Sequence, residues 1–123
     1  MVKLEPKLRV FNQEFFGATP VFLRGGMNGW GTDDQVIYNG DGTYSVHIAL
    51  GAETYDFKVA SDDWATVNLG AENADSATVE LDVAKPLFTT NDNLRLTVDA
   101  AGTYRFTVVV PGATKPSVIV TPL

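Results

Sequence analysis

Apolar residues recur at every second position through much of this chain. That spacing dictates extended strands with one face on a core and the other toward water. In Thr43–Leu50, the residues Tyr44, Val46, Ile48 and Leu50 alternate with Ser45, His47 and Ala49. Residues 78–83 repeat the pattern, with Val79, Leu81 and Val83 expected inward. Leu94, Leu96 and Val98 do the same, as do Tyr104, Phe106, Val108 and Val110. Shorter strand candidates lie at 8–11, 20–24, 35–38, 54–60, 67–69, 87–89 and 117–120. Turn chemistry separates them at Asn39-Gly40-Asp41-Gly42, Asn91-Asp92-Asn93, Ala100-Ala101-Gly102 and Pro111-Gly112. No stretch carries a convincing amphipathic helix. The expected fold is all-β, an immunoglobulin-like antiparallel β-sandwich.

A chain of 123 residues with 45% hydrophobic content can bury a core as one domain, so residues 1–123 are expected to form a single module. Residues 1–19 read as an N-terminal strand and lead-in. Nine basic against 15 acidic residues give a net charge of −6, which repels phosphate backbones and anionic lipid. Nucleic acid and membrane are therefore not expected partners. The apolar runs are strand-length, well short of the roughly 20 residues of a membrane helix. Without cysteine there is neither a disulfide nor a thiolate site. The start, Met1-Val2-Lys3-Leu4-Glu5-Pro6, has no apolar signal core. An intracellular protein or an excised piece is expected, extracellular or periplasmic if the parent is a secreted enzyme. Gly-Thr-Tyr occurs at Gly42 and again at Gly102, opening a strand each time, and turn-to-strand chemistry explains both.

Catalytic chemistry finds little to work with. Glycoside hydrolysis needs two carboxyl groups facing each other about 5–10 Å apart, and the adjacent pairs Asp33-Asp34 and Asp62-Asp63 diverge on extended chain. The single histidine, His47, falls on the polar face of a strand without a nucleophile elbow or a second histidine. The Asn39/Asp41 and Asn91–Asn93 clusters do not match a calcium loop, and Gly25-Gly26 precedes no phosphate-binding helix. No enzyme, metal or cofactor is expected.

Binding is better supported. Trp30 and Trp64 are the only tryptophans, and both lie in turn-like sequence, Gly25-Gly26-Met27-Asn28-Gly29-Trp30 and Ser61-Asp62-Asp63-Trp64. An indole presented by a turn wants a flat apolar cover. In the strand leading to Trp64, alternation puts Tyr55, Phe57 and Val59 on one face and Asp56, Lys58 and Ala60 on the other. A pyranose ring can stack its C–H face on indole while Lys58, Asn28 or Asp62 bonds the hydroxyl rim. Such a site binds modestly, with a Kd on the order of 10 μM to millimolar. The other reading of each residue is local: Trp64 as a lid over Val67 or Leu69, Trp30 as anchor of its turn, and Lys58 as a solvated partner of Asp56 or Glu53.

Val21-Phe22-Leu23-Arg24-Gly25-Gly26-Met27-Asn28-Gly29-Trp30, then Phe57-Lys58-Val59 and Trp64, resembles the glycogen- and starch-binding modules of carbohydrate-binding module family 48. The stretch 55–70 is similar to ancillary domains of bacterial pullulanases and other α-amylase-family enzymes, and 93–106 to the closing hairpin of such modules. The resemblance covers about residues 20–120. It implies that Trp30 and Trp64 contact α-1,4-linked glucose rings and that Lys58 bonds their hydroxyls, with Asn73 a loose counterpart of a further asparagine contact. The turn between Lys58 and Trp64 is one residue shorter than in the kinase-type pattern. The implied partner is an α-glucan polysaccharide or oligosaccharide, alongside a covalently linked or neighbouring catalytic domain, with the module itself monomeric. Many pullulanase-type relatives act mainly as spacers, so a structural or domain-interaction module without sugar binding is the alternative.

Overall fold

Strands form where the alternation predicts them, and short turns between them force neighbouring strands to pair antiparallel. The computed structural model describes residues 16–110 and 115–123. The strands are β1 (Val21–Gly25), β2 (Ile37–Tyr38), β3 (Thr43–Leu50), β4 (Thr54–Ser61), β5 (Asn68–Gly70), β6 (Thr78–Val79), β7 (Lys85–Pro86), β8 (Phe88–Thr89), β9 (Leu94–Thr97), β10 (Gly102–Val109) and β11 (Ser117–Pro122). One sheet runs β6-β9-β4-β5-β8 with β1 also on β4, and the other runs β2-β3-β10-β11-β7. Every pairing is antiparallel except that of β6 with β9. The fold is the expected immunoglobulin-like β-sandwich. The strand candidate at 8–11 and the Pro111-Gly112 turn lie outside the described residues.

Inward residues of the two sheets meet in one core. Phe57 of β4 and Phe106 of β10, both fully buried, pack edge to face with centroids 5.4 Å apart at 82°. Leu23, Val59, Leu94, Leu96, Val108, Val118 and Val120 complete the buried centre. The Asn39–Gly42 turn works as its sequence predicts, because Gly40 (φ 90°) and Gly42 (φ 87°) adopt backbone that other residues resist.

The structure departs from the alternation in two places. In 78–83 only Thr78 and Val79 are strand. The chain then turns, Asp82 takes φ 65°, and Val83 ends 52% exposed instead of inward. A bond from Asp82 N to the Val120 carbonyl (2.8 Å) fixes this reversal, so the alternating run is cut where it meets β11.

The second departure is β4, where Lys58 and Ala60 on the outer face are buried as fully as the core face. The stretch after β8 covers Lys58. Ala71 N donates to the Asp92 carbonyl (2.9 Å), and a Cβ on Gly70 would lie 2.1 Å from that oxygen. Glycine at 70 lets this stretch approach the sheet over Lys58.

Candidate functional site

The β1–β4 ladder is the base of the site. Gly25 pairs with Phe57 at one end and Val21 with Ser61 at the other, so the Trp30 and Trp64 turns leave opposite ends of the same ladder. Between them Arg24 stands opposite Lys58 on the outer face.

The Trp30 turn is a short 3-10 segment, Gly26–Asn28, closed by Gly29 at φ 64°. Its organiser is Asn28. The side-chain oxygen accepts from Gly25 N (3.0 Å), and the amide nitrogen donates to the Leu23 carbonyl (2.7 Å) and to Asp34 Oδ2 (2.8 Å). Asn28 thus spends its amide on the turn, and Trp30 N closes it by donating to the Gly25 carbonyl (2.9 Å).

The Trp64 turn is built on Asp63. Oδ1 accepts from Ser61 Oγ (2.6 Å) and from the backbone N–H groups of Ala65 and Thr66 (3.0 Å each), while Oδ2 accepts from Thr66 Oγ1 (2.7 Å). These bonds, the Ser61 hydroxyl first, hold the carboxyl well below the usual carboxylate range. A carboxylate whose folded pKa is depressed stabilises the fold above its unfolded value, and that stability is lost as pH falls. Thermal midpoints measured down an acid series are therefore expected to fall below about pH 4, and Asp63→Asn to flatten that fall. Equal acid slopes for the two proteins would remove the carboxylate from this role.

The two turns bring the indoles together. Trp30 and Trp64 lie with ring centroids 6.1 Å apart and planes inclined at 46°. Neither ring belongs to the buried core or to the partly buried apolar side chains packed on it, among the described residues. Trp64 is therefore not a lid on the sandwich, and Trp30 does not anchor its turn in the core. Both are half-buried. Both backbones are left-handed, with φ 62° at Trp30 and 59° at Trp64. That region costs a non-glycine residue about 1–2 kcal/mol and persists only where surrounding bonds enforce it.

Arg24 ties the two turns together, and alternation alone did not single it out. Its Nε and Nη2 donate to the Trp30 carbonyl (2.9 and 2.7 Å), and its Nη1 to the carbonyls of Ser61 (2.8 Å) and Asp62 (3.0 Å). The guanidinium carbon sits 3.8 Å from the centroid of the Trp64 ring, a cation–π stack on one face. Its side chain is buried at 7% exposure, so these bonds are shielded from water. The only advance signal was parity, which sets a basic residue on the outer face just before the Trp30 turn.

The remaining candidates are dispersed. Lys58 is 4% exposed, not a solvated strand residue, and its ammonium donates to the Thr90 carbonyl. Burial lowers its pKa, and the Asp92 carboxylate partly opposes that. Asp56 pairs with Arg95 across β4–β9 (3.0 Å), not with Lys58. The Asp62 side chain is exposed and lines a cleft of about 430 Å³ with Thr19, Pro20, Phe22, Thr32 and Thr66. Asn73 is exposed before the 3-10 turn Ala74–Ser76, where its carbonyl accepts from Ser76 N (3.1 Å). No hydrogen bond or ring contact among the described residues links it to the indoles. His47 stands exposed on β3, accepting from Arg105 Nε at 3.4 Å. No group of three or more His, Cys, Asp or Glu among the described residues is arranged to hold a metal.

Fold and site together define a β-sandwich that carries an aromatic pair on the turns of one sheet. Its backbone is similar to that of a solved structure described as the ligand-induced structure of AmyP-SBD. The TM-score is 0.62 at 16% identity, over 85% of this chain and 72% of that one. No family model and no curated protein matches the sequence.

Proposed function

We propose that this chain is a non-catalytic carbohydrate-binding module whose ligand is an α-glucan such as starch, glycogen or a maltooligosaccharide. The observation that carries the reading is the tilted indole pair, excluded from the core and held in strained backbone. Strain kept at two tryptophans that add nothing to the core has its natural explanation in a ligand. Two rings inclined at 46° suit sugar units that turn relative to one another, as α-1,4 linkages make them. The similar fold of AmyP-SBD, a starch-binding domain, supports the same class, and the resemblance to family 48 modules points to the same ligand. Sugar rings stack on Trp64 and Trp30, with exposed Asp62, two residues before Trp64, as the hydroxyl partner in this reading. Asn28 contributes by shaping the Trp30 turn, while the Lys58 ammonium is occupied by the Thr90 carbonyl. Linked to a catalytic domain, such a module works by raising effective concentration on the polymer.

The occupied Lys58 ammonium favours one alternative, a spacer that seats its indoles on a neighbouring domain. Titration with maltoheptaose separates the two. Indole emission is expected to shift or change intensity with a midpoint on the order of 10 μM to millimolar. Emission unmoved by maltoheptaose, with free migration in glycogen-containing gels, would leave the spacer.

A further inference from the structure

Arg24 is a fixed charge between two loops that share no other bond between their backbones among the described hydrogen bonds. Its planar fork reaches three carbonyls, one in the Trp30 turn and two at the start of the Trp64 turn. A guanidinium has rigid donors suited to such bridging, whereas an ammonium concentrates its donors on one flexible point. The same group also lies against one face of Trp64. That face is closed to ligand, which leaves stacking to the part of the Trp64 ring that neither Arg24 nor Trp30 covers.

We propose that Arg24 is the positioning residue of the indole pair, fixing the spacing and tilt of the two rings before ligand arrives and selecting the face of Trp64 that binds. The inference rests on the platform reading for its ligand half, while its geometric half concerns the free protein alone. A surface arranged in advance binds more tightly because ligand need not order the loops.

The test is Arg24→Lys, which keeps the charge and loses the fork. Two indoles this close couple their transitions, so the free protein is expected to show a paired indole band in far-ultraviolet circular dichroism. Arg24→Lys is expected to diminish that band and to weaken maltoheptaose binding about fivefold or more, with a cooperative thermal transition retained. Val108→Ala, a core change away from the site, is the control, and it should lower the thermal midpoint while keeping both band and affinity.

Retention of band and affinity in Arg24→Lys overturns the proposal. Should the variant fail to fold, the wild type decides: its paired band is expected to survive saturation with maltoheptaose, and reversal or collapse overturns a preset geometry. A wild type that binds no glucan defeats the platform reading and the ligand half together, and the band of the free variant still decides the geometric half.

Discussion

Trp64→Ala is expected to weaken maltoheptaose binding about tenfold or more, at about 1.4 kcal/mol per decade, while the thermal midpoint moves by only a few degrees. The asymmetry follows from where the ring lies. It contributes nothing to the core cluster, so its removal leaves no cavity there. It does lose the stack on Arg24, worth about 0.5–2 kcal/mol, which limits how neutral the change can be. The left-handed backbone at position 64 sharpens the test. Glycine adopts that conformation without penalty, so Trp64→Gly should be about 1 kcal/mol more stable than Trp64→Ala and equally poor at binding. Affinity electrophoresis in glycogen beside thermal melts reads both quantities. Wild-type retardation of either variant would take Trp64 out of the site.

The strands that carry the sandwich were legible because alternation and turn chemistry agree there. Thr43–Leu50 and Gly102–Val109 pair along their whole length, from Gly102 opposite Leu50 to Val109 opposite Thr43, with the Asn39–Gly42 turn ahead of β3 as its glycines require. Leu81 still packs on the core, but alternation fails at Val83 because a period of two says which face a residue takes and not where the chain must reverse. It fails differently at Lys58. Parity put that side chain on the outer face correctly, but nothing local says that Gly70 admits the Thr90–Asp92 stretch over it.

The site was half legible for the same reason. Each tryptophan could be placed in a turn from its neighbours. That the two turns converge from opposite ends of one ladder is a long-range fact, carried by the register of β1 on β4 and by an arginine. Asn28 was legible as a turn residue and Asp63 likewise, because both act on backbone groups within a few residues of themselves.

The largest loss of stability is expected from Phe57→Ala. Phe57 has no exposed surface, lies on the central strand of its sheet and meets Phe106 of the opposite sheet edge to face. Truncating a buried phenylalanine removes its transfer free energy and leaves a void, a cost of about 3–5 kcal/mol. That is a large part of the roughly 5–15 kcal/mol that holds a domain together, so the thermal midpoint should drop by about 10–25 °C. The same strand carries Lys58 on its outer face and leads into the Trp64 turn, which makes the binding outcome informative. Well below the lowered midpoint, Phe57→Ala is expected to bind maltoheptaose within about twofold of wild type, since truncating the ring leaves the backbone ladder to Gly25 that carries the Trp30 turn. Trp64→Ala should show the converse, with binding lost and stability kept. Denaturant melts paired with titrations at low temperature read the contrast. Equal loss of binding in both variants would mean that the indole pair depends on the core, and Arg24 would then not suffice to hold it.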